Sequence, residues 1–200
     1  MLRPGVTLYF VRHGETDWNR EQRYQGQRDI PLNALGREQA VGNGRKLAVA
    51  LGAEAAALDC VSSPLLRARE TMELMRAETG LPRNAYRTDD RLREIHYGHW
   101  EGEVWNELPA RDPDGFAARE ADKWGWRPKG GESYRELSER VAAWLGEVER
   151  DAVVAAHGGV MRVLRGLSLA LDPAEIFRLD VPQDKVLVVE AGQTRWLQPS

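Results

Sequence analysis

The stretch Leu8-Tyr9-Phe10-Val11-Arg12-His13-Gly14 decides how this chain is read. Thr7 to Val11 is β-branched, aromatic and apolar, the make-up of a buried strand, and it ends at Arg12. The pattern returns far downstream, where Ala152-Val153-Val154-Ala155-Ala156 runs into His157-Gly158-Gly159. The chain has four histidines, and two of them sit one step past such an apolar run. In parallel α/β sheets, ligands bind outside the carboxyl ends of the strands. If these two strands are neighbours, His13 and His157 point into one crevice. The glycine after each lets backbone come close to a ligand. Gly158-Gly159 also leads directly into a helix, whose free N–H groups favour an anion.

The elements around these edges alternate. Leu58 to Ser62 reads as a second short strand, with another near Tyr86. Lys185 to Glu190 and Thr194 to Leu197 close the chain with strand-like alternation. Asn33 caps a helix running to about Leu51. Ser63-Pro64 reads as a cap with proline at the first helical position, opening an amphipathic helix that stops near Gly80. Glu132 to Arg150 and Val160 to Leu171 are helical. Strands alternating with helices predict an α/β sandwich around a mostly parallel sheet. Periodicity fails from Trp100 to Glu132, where Trp100, Trp105, Trp124 and Trp126 stand among Pro, Gly and charges. Residues 1–200 therefore form one domain, with 101–132 a lid-like insertion that covers something.

Two hundred residues suffice to bury a real core. A hydrophobic share of 42%, a charged share of 30% and a net charge of −3 are those of an ordinary globular chain. They give no footprint for nucleic acid or for a membrane surface. No apolar run approaches the ~20 residues of a membrane span. The N-terminal stretch lacks a signal-type cleavage site. The single cysteine allows no intrachain disulfide and fits a reducing cytoplasm, the expected location.

Arg12 brings a fixed cationic fork suited to phosphate. Arg67, in the first turn of the helix after the second strand, brings another to the same sheet edge. Three strand ends thus offer Arg12, Arg67 and His157 around His13, an assembly that suits a doubly charged phosphoryl group. Two rival phosphate chemistries fail on spacing. Cysteine phosphatases place five residues between cysteine and arginine, whereas Cys60 and Arg67 have six between them and no glycine. No G-x-x-x-x-G-K-[ST] loop occurs. His96 and His99 have an HxxH spacing, but nothing completes a metal site around them. No metal and no cofactor is expected.

The segments VRHGETDWN, YQGQRDIPLNALGREQA, SSPLLRARET, LREIHYGHWEG and AAHGGVMR follow one another between residues 8 and 162. In that order they resemble the histidine phosphatase superfamily, also called the phosphoglycerate mutase-like family. The resemblance implies a three-layer α/β/α sandwich. It implies that His13 is the nucleophile that becomes phosphorylated and that Arg12, Arg67 and His157 form the phosphate pocket. It further implies Glu94 as proton donor and Asn19 as an added phosphate contact. Gln25-Gly26 would be a loop near the substrate, and Gly158 would present backbone to phosphate. His157 could be protonated, adding to the two arginines. His96 and Tyr97 are candidates to face the substrate.

The family contains hydrolases and mutases. Its cofactor-dependent mutases carry a longer insertion, a lysine soon after the HYG motif and an arginine pair. Here Trp105 stands about where that lysine would be, and no Arg-Arg pair occurs in the chain. The sequence style is closer to bacterial broad-specificity and α-ribazole phosphatases. The expected function is metal-independent hydrolysis of a small phosphorylated metabolite through a phosphohistidine. A phosphoglycerate mutase-type transfer and a non-catalytic phosphate-binding or regulatory protein are the alternatives. The exposed end of a terminal strand could support a homodimer.

Overall fold

The computed structural model describes residues 2–198. The elements run β1 (Leu8–Arg12), α1 (Asp17–Arg20), α2 (Ala34–Leu51), β2 (Asp59–Ser62), α3 (Leu66–Glu78) and β3 (Arg87–Thr88). They continue α4 (Leu108–Arg111), α5 (Pro113–Ala121), α6 (Tyr134–Glu147), β4 (Ala152–Ala156), α7 (Gly158–Leu169), α8 (Pro173–Ile176), β5 (Val186–Glu190) and β6 (Gln193–Trp196). The six strands form one sheet in the order β3-β2-β4-β1-β5-β6. β3, β2, β4 and β1 are parallel, while β5 and β6 are antiparallel additions at one side.

Strand alternation sorts side chains between two apolar layers. Leu8, Phe10, Val61, Ala152, Val154, Leu187 and Val189 face one layer, packed with Leu137, Val141 and Trp144 of α6 and Val160, Val163 and Leu164 of α7. Val11, Cys60, Val153, Ala155 and Val186 face the other, with Leu47 of α2 and Met72 and Met75 of α3. Helices cover both faces, so the fold is the expected three-layer sandwich. Burying each large aliphatic or aromatic side chain contributes about 1.5–3 kcal/mol, which is why the central strands can be apolar on both faces.

Three boundaries differ from the sequence expectation. The N-cap of α3 is Leu65, without a side-chain cap bond, so Ser63-Pro64 is not the cap pair. Ser63 is engaged elsewhere, as shown below. α7 starts at Gly158 rather than Val160, because the helix turns immediately after His157. α6 spans Tyr134–Glu147, shorter at both ends than Glu132 to Arg150, with Ser133 and Glu136 closing a capping box. Two short helices, α1 and α8, have no counterpart in the sequence expectation.

The stretch without periodicity is folded onto the rest by aromatic contacts. Trp100, 1% exposed, packs on Trp126 at 4.3 Å between ring centroids. Its Nε1 donates to Asp112 at 2.8 Å, and Asp112 also caps α5. Tyr24 and Gln22 hold the start of the stretch through backbone bonds to Glu103 and Trp105.

Candidate active site

Register places the two histidines side by side. Arg12 pairs with Ala156 across β1 and β4, and the His13 amide donates to the Ala156 carbonyl at 2.9 Å. Both imidazoles lie one step past the carboxyl ends, 5.2 Å apart between centroids. His13 is 2% exposed and His157 fully buried. His13 Nδ1 lies 2.8 Å from the Gly14 carbonyl oxygen, which can only accept. Nδ1 therefore carries the proton, and Nε2 keeps its lone pair. Arg67 Nε donates to that lone pair at 3.2 Å. Burial first, then the charges of Arg67 and Arg12, hold the His13 imidazole well below its ordinary 6.5, so it is neutral at physiological pH.

Arg67 is itself fully buried. Its remaining nitrogens donate to the Gly26 and Arg28 carbonyls, both at 2.7 Å, which fixes the fork against the loop after α1. Burial lowers its pKa to about 10, opposed by the nearby charges of Glu94 and Asp29, so it stays cationic at neutral pH. Arg12 donates to the Val181 carbonyl at 2.8 Å, and its buried Nε has no partner among the described residues.

His157 departs from the expectation that it could be protonated. Burial, Arg67 and His13 hold it well below 6.5, so the ring is neutral. Its Nε2 lies 2.7 Å from Ser63 Oγ, while its buried Nδ1 has no partner among the described residues. Ser63 Oγ already accepts from the Leu65 amide, and among the described residues the only acceptor beside its hydroxyl is His157 Nε2. The hydroxyl proton therefore goes to Nε2, and the ring's own proton sits on Nδ1. A neutral His157 thus supplies an N–H donor.

Glu94 follows a 3₁₀ turn and reaches back to the start of α7. Its carboxylate accepts from the Gly159 amide at 3.1 and 3.2 Å and from Ile95 at 3.0 Å. A Cβ on Gly159 would stand 2.5 Å from Glu94 Oε1, so a larger residue there would displace the Glu94 carboxylate. Gly26, at φ +51, has a left-handed backbone that favours glycine, and a Cβ there would displace the Glu101 side chain.

His13, Arg12, Arg67, Glu94, Asn19, Gln25, Gly26, Gly158 and Tyr97 line one inner cavity of about 190 Å³, whereas His157 stands against His13 as a fully buried side chain. His96 lines neither this cavity nor the neighbouring cleft. Its Nδ1 accepts from the Gly98 amide at 2.9 Å, which corrects its expected substrate-facing role. His99 is tied to Asp112 instead, so the HxxH pair does not converge.

Sequence reasoning misses three residues. Ser63 looks like a helix cap in sequence and is a partner of His157 in the fold. Gln183 donates to the His13 carbonyl at 3.1 Å and to Asn19 Oδ1 at 3.0 Å, bracing the loop that carries His13 from just before β5. Arg162, from the second turn of α7, lines both the inner cavity and a larger cleft of about 730 Å³ outside it. A signal for Arg162 is present in AAHGGVMR; none exists for Gln183.

A neutral buried imidazole with an unprotonated Nε2 beside an arginine, a second arginine and a carboxylate at one sheet edge make up an enzyme site for phosphoryl transfer from an ester. Residues 8–198 match the histidine phosphatase superfamily (branch 1), and the chain belongs to that superfamily. It is 38% identical over 180 residues, covering 84% of this chain and 77% of the relative, to glucosyl-3-phosphoglycerate phosphatase of Mycobacterium tuberculosis. A structure of phosphoglycerate mutase from Thermus thermophilus superposes with a TM-score of 0.74 at 36% identity, covering 98% of this chain and 100% of that one. A candidate alpha-ribazole-5'-P phosphatase of Escherichia coli shares the fold, with a TM-score of 0.80 at 24% identity over 96% of this chain and 94% of that one. The chain is a phosphoric monoester hydrolase of this superfamily, and small phosphorylated compounds are its substrate class.

Proposed function

We propose that His13 Nε2 attacks the phosphorus of a phosphomonoester and carries the phosphoryl group as a phosphohistidine. The observation that carries this reading is the state of His13: neutral, fixed through Nδ1 to Gly14 O, with the Nε2 lone pair beside the buried Arg67. In the first step the N–P bond forms as the P–O bond to the leaving alcohol breaks. Glu94 protonates the departing oxygen, which typically contributes about 10²–10⁴ in rate. Arg12, Arg67, the Nδ1–H of His157 and the Gly158 and Asn19 edge of the cavity hold the phosphoryl oxygens. Preplaced donors of this kind contribute most to stabilising the transferring charge. In the second step Glu94 takes a proton from water, water oxygen bonds to phosphorus, and the P–N bond breaks. The electron pair returns to Nε2 and inorganic phosphate leaves. The scheme uses no metal.

The insertion 101–132 is the cover of the leaving-group cleft in this reading, because Trp105, Asn106, Phe116 and Lys123 line it. Hydrolysis is favoured over mutase transfer by Trp105, 53% exposed at the cleft where the mutase lysine is expected. The buried, unpaired Cys60 fits a reducing cytoplasm. The edge strand β6 offers a surface for a homodimer, which light scattering would test.

The test is phosphate release from a panel of phosphomonoesters that includes 3-phosphoglycerate and α-ribazole phosphate, with EDTA present. Formation of 2-phosphoglycerate is followed in the same reactions. Phosphate release that survives EDTA and disappears in His13→Ala is expected. Isomer formation without phosphate release would make the chain a mutase, and loss of activity in EDTA would overturn the metal-free scheme.

A further inference from the structure

The inner cavity opens into the larger cleft, and six residues border both: Arg12, Asn19, Arg23, Tyr24, Tyr97 and Arg162. The cations of the outer cleft are mostly satisfied. Arg23 bonds Glu21 and the Gly102 carbonyl. Arg119 and Lys123 share Glu120, at 2.6 and 2.9 Å. Arg162 differs: among the described residues it makes no hydrogen bond and no ion pair, and its Nε is buried without a partner. It also lies close enough to Arg12 for its charge to disfavour that of Arg12. Two adjacent cations with unpartnered buried nitrogens are costly unless an anion joins them. Arg12 belongs to the phosphoryl group in the mechanism above. Arg162 stands at the junction through which a leaving group must pass.

We infer that Arg162 is a specificity residue that grips a second anionic group on the leaving alcohol, so that the favoured substrates are phosphomonoesters carrying a carboxylate or a further phosphate. The inference rests on the reading of His13 and Arg12 as the phosphoryl end of the site. A planar guanidinium fork matches either oxyanion with two parallel N–H bonds. Tyr24, Tyr97 and Phe116 give the rest of the leaving group an apolar wall.

The test uses substrate pairs on one carbon skeleton: 3-phosphoglycerate against glycerol 3-phosphate for a carboxylate, and propane-1,3-diol bisphosphate against 3-hydroxypropyl phosphate for a second phosphate. Binding to the His13→Ala protein is measured by calorimetry, which removes turnover from the readout. The anionic member of at least one pair should bind about tenfold more tightly or better, the scale of one charge-assisted contact. Adding Arg162→Gln should shrink that ratio to about two or less, and Arg162→Lys should restore part of it. Which pair shows the preference names the oxyanion. A ratio near one in the starting protein, a ratio that survives Arg162→Gln, equal weakening of both members of a pair, or no binding of any probe would each overturn the inference. Wild-type protein that releases no phosphate, combined with an Arg162-dependent preference, would instead overturn the hydrolase reading and leave the subsite standing.

Discussion

In the proposed mechanism, Ser63 decides what His157 offers a phosphoryl oxygen. The ring is neutral, so a donor facing phosphate requires the proton on Nδ1, and the Ser63 hydroxyl secures it by bonding Nε2. In Ser63→Ala the ring's ¹⁵N signals should move from one tautomer towards a mixture, and kcat should fall about tenfold, the order of one neutral hydrogen bond. Unaltered signals would contradict this role. Glu94 is tested by leaving group. Glu94→Gln should slow alkyl phosphates by about 10²–10⁴ while activated aryl phosphates, which leave without a proton, slow far less. Equal slowing of both would remove Glu94 as the acid. His13, Arg12, Arg67, Glu94 and His157 are legible in the sequence because each lies at a strand end or in an ordered motif. Ser63, Gln183 and His96 are not. What Ser63 and Gln183 do depends on partners 94 and 170 residues away. His96 is adjacent to a true cavity residue, and only local backbone geometry turns it aside.

At the scale of elements, the loop carrying His13 is clamped against the start of α2. A Cβ on Gly36 would meet the Glu15 carbonyl oxygen at 2.1 Å, and one on Gly14 would meet the Gly36 carbonyl oxygen at 2.0 Å. Backbone packs on backbone, so neither contact can relax by a rotamer change. Gly36→Ala should cost about 2–4 kcal/mol in urea unfolding and displace the nucleophile loop, lowering kcat as well. A loss within about 0.5 kcal/mol, the range of an ordinary surface change, would contradict the clamp. The strands are legible because apolar alternation and length are local signals. Ser63-Pro64 misleads because a serine before proline looks like a cap whether or not its hydroxyl is already bonded elsewhere. The segment after Trp100 gives no period because α4 and α5 are short and are held by the Trp100–Trp126 stack and Asp112 rather than by an amphipathic face.

For the whole molecule, the sheet places two neutral histidines beside two arginines in a buried site, and that arrangement fixes the response to acid. His13 and His157 have folded-state pKa values well below 6.5, both chiefly through burial. Below about pH 6.5 the unfolded chain binds more protons than the folded one, so stability rises with pH there. The contribution is fully present above that pH and is lost progressively as pH falls. Urea midpoints should therefore decline between about pH 6.5 and 5, and His157→Asn should flatten that decline. An identical slope in the variant would contradict the buried neutral state. The same state keeps His13, the proposed nucleophile, deprotonated in mild acid, so kcat/KM should not fall through about pH 6.5 as it would for a solvent-exposed imidazole.

The most direct measurement is to trap the enzyme during turnover of a good substrate, quench in alkaline denaturant to preserve a phosphoramidate, and locate the added phosphoryl group by peptide mass spectrometry. A phosphoryl group on His13 that is absent from His13→Ala is the predicted result. Turnover with no phosphorylated peptide, or with phosphate on another residue, would contradict the account.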